Sequence, residues 1–142
     1  MKKGFTLVEV LVVMAVIFFL AVIIIPVSLN FYNLQVFNET HEQIIGLLKQ
    51  ARSNAFIQKN NADFGLYFGD KQMVLFQGPS YGQRDESQDF SLKLPALVEI
   101  SGFSEIVFSQ GSALPKQSGS LLIKSGQKQK EIIINEQGLI SY

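Results

Sequence analysis

The feature that most constrains this chain is an apolar run near its start that contains one acid. From Phe5 to Ile25 every residue is apolar except Thr6 and Glu9, and Val10 to Ile25 is unbroken. About 20 mostly apolar residues suffice for a helix to cross a bilayer. Lys2 and Lys3 precede the run, and the next cationic side chain is Lys49. That asymmetry predicts an N-terminus in the cytoplasm and a chain beyond Asn30 on the far side of the membrane. Glu9 does not fit an ordinary span. An ionised acid in an apolar helix costs about 2.5–3.5 kcal/mol on insertion scales and usually has a partner. Either Glu9 sits at the wetted interface, or its partner is a cation made after synthesis. Cleavage between Gly4 and Phe5 would create an α-ammonium four residues before Glu9, at helical spacing.

The stretch Lys3-Gly4-Phe5-Thr6-Leu7-Val8-Glu9 resembles the cleavage site of type IV prepilins and type II secretion pseudopilins. The resemblance implies that a prepilin peptidase and N-methyltransferase cuts after Gly4 and methylates Phe5. It implies also that Glu9 pairs with the N-terminus of an adjacent subunit during assembly. A secretory signal peptide is the competing reading. Its apolar segment runs 7–15 residues before a small-x-small cut site, whereas here Pro26-Val27-Ser28-Leu29-Asn30 follows a longer run.

Composition narrows the remainder. The 142 residues are a single-domain length, and about 85 follow the long helix, enough for a modest core. Twelve basic residues balance twelve acidic ones; without Lys2 and Lys3 the ratio is ten to twelve. A globally basic nucleic-acid binder is therefore disfavoured. No cysteine is present, so neither disulfides nor thiol ligands are available.

Four segments follow from the pattern: a leader over 1–4, a transmembrane and assembly helix over 5–30, its amphipathic continuation over 31–58, and an exported β-rich domain over 59–142. Pro26 predicts a kink or softened turn. The helix is expected to continue past it because no other breaker occurs before Gly46. Leu34, Phe37, His41, Ile44, Leu48, Ala51 and Ala55 form one stripe. His41, the only histidine, reads as a core residue; no second His, Cys or acid cluster accompanies it to suggest a metal or catalytic site.

Beyond Lys59–Asp63, a loop, strand signals dominate. Phe64–Phe68 and Met73–Gln77 read as a hairpin across Gly69–Gln72, and Gly78–Gln88 as an exposed, mobile loop. Phe90, Leu92 and Leu94 alternate as a half-buried strand stopped by Pro95. Val98–Ile100, Ile106–Phe108, Leu121–Ile123, Ile132–Ile134 and Leu139–Tyr142 complete about six or seven short strands. The expected fold is α+β and pilin-like, one long helix packed against an antiparallel sheet.

A second level of resemblance concerns subtype. Ala51-Arg52-Ser53-Asn54-Ala55 at the helix end, Phe108-Ser109-Gln110-Gly111, and Gly138-Leu139-Ile140 in the last hairpin are similar to H-type minor pseudopilins of type II secretion and T-type minor fimbrial pilins. Such a protein would sit in the bacterial inner membrane and then enter a pilus or pseudopilus. Its partners would be the peptidase, other pilins or pseudopilins, an inner-membrane assembly platform and membrane lipid. No cofactor, metal or catalytic residue is expected. Gly78–Gly82 lacks the strand-to-helix setting of a serine elbow, and Asp85-Glu86 beside Arg84 reads as a solvated charge cluster. Some T-type minor pilins bind DNA through basic residues near the C-terminus, so Lys116, Lys124, Lys128 and Lys130 are nucleic-acid candidates. The plainer reading is lysines guarding a sheet edge. A static, membrane-anchored export domain is the remaining alternative.

Overall fold

A computed structural model describes residues 4–142; Lys2 and Lys3 lie outside the described residues. A single helix, α1 (Leu7–Phe56), runs through Pro26 without interruption, as the absence of other breakers predicts. The chain divides into two compact units, one ending at Gln35 and the other running from Val36 to Tyr142. In the first, nearly all the apolar side chains of α1 are exposed.

In the second unit α1 is amphipathic. Phe37, His41, Ile44, Leu48, Ala51 and Ala55 are buried at steps of three and four, the spacing of one helical face. Leu34, expected on that stripe, falls in the first unit and is 37 % exposed. The helix stops at Phe56, slightly short of Gln58, because Gln58 takes a left-handed conformation with φ 54°. The Gly111 N–H then donates to the Ala55 carbonyl at 2.9 Å, satisfying one of the carbonyls a helix end leaves open.

The strands are β1 (Phe64–Phe68), β2 (Gln72–Gln77), β3 (Phe90–Lys93), β4 (Glu99–Gly102), β5 (Glu105–Phe108), β6 (Gly119–Ser125), β7 (Lys128–Ile134) and β8 (Ile140–Ser141). They form two antiparallel four-stranded sheets, ordered β3-β2-β1-β5 and β4-β6-β7-β8. The α+β class holds, but eight strands in two sheets replace the six or seven in one. The division occurs where β3 ends. Pro95 lacks a ladder donor, and the chain re-enters extended structure as β4 in the other sheet. It returns through Gly102, whose φ is +129° and where a Cβ would lie 2.5 Å from the Ser120 carbonyl oxygen. Only glycine accepts both constraints.

One core joins α1 to both sheets. Leu66, Met73, Ile106 and Phe108 come from the first sheet and Leu121, Ile123, Ile132 and Ile134 from the second. The register sets Leu66 against Leu75 and Leu121 against Ile132. A smaller cluster of Val74, Phe76 and Val107 lies on the opposite face of the first sheet, covered by Tyr67 and Tyr81. Sheet one is thus apolar on both faces, which is why Met73–Phe76 reads as a continuous apolar run.

That cover corrects the expectation of a free loop over Gly78–Gln88. The Tyr81 ring stacks on Tyr67 with centroids 3.8 Å apart, and the Arg84 guanidinium lies 3.9 Å above Tyr81. Arg84 Nε donates to Asp89 Oδ2 at 2.8 Å, and the Tyr81 N–H donates to Glu105 Oε2 at 2.7 Å. Glu86 remains exposed at 3.3 Å from Arg84, so the expected charge cluster is solvated at one end and half-buried at the Arg84–Asp89 end.

Candidate functional site

The N-terminal turn of α1 is built by Thr6 and Glu9. Thr6 precedes the first helical residue, and its carbonyl accepts from the Val10 N–H at 3.3 Å. Its hydroxyl accepts from the Glu9 N–H at 3.3 Å. In return, Glu9 Oε2 accepts from the Thr6 N–H at 3.3 Å and from the Thr6 hydroxyl at 3.4 Å. This reciprocal pairing is a capping box, which satisfies helix donors that otherwise have no partner. It also places the Glu9 carboxylate at the positive end of the helix dipole.

The sequence reading treated Glu9 as an isolated charge and missed this local partner. The signal was present: Thr6, two residues, then Glu9 before an apolar run is the sequence signature of such a cap. The two roles are compatible. Scission after Gly4 leaves the Thr6 N–H intact and puts the new ammonium on Phe5, the residue immediately before it. Gly4 and Phe5 are exposed, and a Cβ on Gly4 would meet nothing within 4 Å. Among the described residues, α1 is the one helix long and apolar enough to cross a membrane.

The four candidate lysines do not converge. Lys116 Nζ lies 2.8 Å from Asp63 Oδ2 and also donates to the Pro79 carbonyl. Burial alone would push the Asp63 carboxyl up, but the Lys116 ammonium and the Gln110 N–H, donating at 2.8 Å, hold it below its ordinary value. Lys128 and Lys130 share a face of β7, opposite Ser125 and Ile123, whereas Lys124 pairs with Gln129 on the reverse face. Lys130 Nζ sits 5.9 Å from the Phe37 ring centroid, over the end of the helical stripe.

His41 is in the core as expected, 3 % exposed, but it is not fully satisfied. Its Nδ1 lies 3.4 Å from Glu42 Oε1, while Nε2 is buried with no hydrogen-bond partner among the described residues. Burial lowers its pKa below 6.5, the Lys130 charge lowers it further, and Glu42 partly opposes both. The unfolded chain therefore takes up the His41 proton at higher pH than the folded one. Stability is complete above about pH 6.5 and declines as pH falls below it. Urea unfolding of the full chain in lipid nanodiscs should show this decline, and His41→Leu should flatten it.

A cavity of about 700 Å³ lies between the β1–β2 turn and the segment from Lys93 to Ile100. Its charged groups, Asp70, Lys71, Lys93 and Glu99, are all exposed. Among the described residues no three His, Cys, Asp or Glu side chains are grouped to hold a metal.

Comparison with curated proteins and with solved structures gives no match. Residues 1–25 match the family model described as the prokaryotic N-terminal methylation motif. The apolar helix and this motif are together consistent with membrane anchoring. The start of the chain therefore carries the motif of a type IV pilin- or pseudopilin-type precursor.

Proposed function

We propose that this protein is a minor pilin or pseudopilin, a structural subunit of a type IV pilus or a type II secretion pseudopilus. In this reading it is held in the inner membrane by α1 with its N-terminus in the cytoplasm. It is cut after Gly4, methylated on Phe5 and assembled through Glu9. The observation that carries the reading is the methylation motif over residues 1–25, within which Glu9 is the one acid of an apolar helix. The capping box supports it by holding that carboxylate in the first turn, next to the bond that processing would open.

The physical logic of assembly follows. Moving apolar helix surface from lipid to protein gains little, since lipid tails are as apolar as leucine. The specific gain has to come from close packing and from a carboxylate–ammonium pair, which is strengthened in a low-dielectric filament core. Lysine placement lends no support to DNA binding, because Lys116 is engaged by Asp63 and Lys124 faces away from Lys128 and Lys130.

Mass spectrometry of the protein from its own cell tests the reading. The expected product lacks residues 1–4 and carries one extra methyl group on Phe5. Gly4→Ala should block the cut and abolish assembly, whereas a static anchor would be indifferent to it. An intact Met1 start in a functioning system would overturn the proposal.

A further inference from the structure

Most large apolar side chains of the second unit are buried, and four of the seven exposed ones are Phe56, Leu114, Leu139 and Tyr142. They gather around one face of α1. Lys49, Arg52, Ser53 and Phe56 line a concavity of about 380 Å³ with Ser112 and Ala113, and Leu114 follows directly. The Tyr142 hydroxyl is 3.2 Å from Lys49 Nζ. A Cβ on Gly138 would lie 3.2 Å from Arg52 Nε and 2.9 Å from the Ala113 carbonyl oxygen, so the turn leading into Leu139 rests on the same spot.

The two cations at the centre lack acidic partners. Among the described residues no carboxylate lies within 4.0 Å of Lys49 or Arg52. Arg52 donates once, to the Gln137 carbonyl at 3.3 Å, leaving most of its five donors unspent. Arginine, tyrosine and exposed apolar groups around a shallow concavity are the composition of an interface centre.

We propose that this face, centred on Lys49, Arg52 and Phe56, docks an acidic segment of a different polypeptide that also presents an apolar side chain. The carboxylates would meet Lys49 and Arg52, with Ser53 and Ser112 as further donors, while the apolar group covers Phe56 and Leu139. A second copy of this chain is a poorer occupant to the extent that three of its twelve acids already lie within 4.0 Å of a lysine or arginine. Asp63 is held by Lys116, Glu86 and Asp89 by Arg84, and Glu99 lies across the β4–β6 ladder from Lys124.

A photoreactive benzophenone amino acid placed at Phe56 of the full chain, in the cell that makes it, tests this. The expected adduct is a segment of another protein with net negative charge near the cross-linked atom. Arg52→Glu should lower its yield about tenfold through like-charge repulsion. Lys49→Glu, a change at an exposed residue, should act in the same direction and guards against local misfolding at Arg52. The same probe at Ile133, exposed on the reverse face of β7, should not give this adduct. Cross-links only to lipid, to a second copy or to a segment without net negative charge would overturn the proposal. So would a yield indifferent to both charge reversals.

Discussion

Glu9→Val is expected to leave the protein inserted and processed, yet reduce its level in sheared filaments at least about tenfold. The apolar span remains long enough for the membrane, and the bond after Gly4 is untouched. What is lost is the charge that, in the proposed assembly, answers the Phe5 ammonium. A pair of unit charges 4 Å apart interacts by about 4 kcal/mol at an effective dielectric of 20, and about 1.4 kcal/mol is already a tenfold change. The capping box makes a sharper comparison available, because Glu9 also accepts the Thr6 N–H and hydroxyl. Glutamine at this position serves a capping box as glutamate does, but it carries no charge. If charge governs assembly, Glu9→Gln fails as completely as Glu9→Val. If the cap governs it, Glu9→Gln assembles normally. Quantitative immunoblots of membrane and filament fractions separate the two outcomes, and wild-type levels of both variants in filaments would remove Glu9 from the account.

The N-terminal turn also shows what was legible from residues alone. The lone acid, the apolar run and the Gly-Phe junction needed no coordinates, since each depends only on residue type and spacing. The helical stripe was legible for a similar reason: Phe37, His41, Ile44 and Leu48 repeat with the helix. The two-sheet division was not. It depends on which strand β4 and β5 choose as neighbours, and periodicity within a strand is silent on its neighbour. Gly78–Gln88 was legible in part. Pro79, Gly82, Gln83 and Asp85–Gln88 are exposed as its polar composition reads, but Tyr81 and Arg84 clamp the segment over a sheet face by contacts with Tyr67, Asp89 and Glu105. Adjacency in sequence does not bring the four lysines to one face. Strand alternation sends Lys124 to one side and Lys130 to the other, and Lys116 lies in the loop before β6, against Asp63.

Phenylalanine gives the second large expected effect, because twelve of them carry the same propensity and very different burial. Phe108 is completely buried at the end of β5, paired with Phe64. Phe90, in the alternating pattern that reads as half-buried, is 54 % exposed. The difference lies in what covers each ring, since β3 and β5 are the two edge strands of the same sheet. Phe108 belongs to the core cluster shared with α1 and the second sheet, whereas Phe90 lies outside it. Phe108→Ala should therefore cost about 3–5 kcal/mol, the range for emptying a buried aromatic site. That is a large part of the stability of a domain this size. Phe90→Ala should cost far less, since much of its ring is already in water. Urea unfolding of the full chain in nanodiscs, followed by near-ultraviolet circular dichroism of the stacked Tyr67–Tyr81 pair, measures both. Equal losses for the two variants would mean that Phe90 is covered in solution, and that the edge of β3 is an interface rather than a boundary.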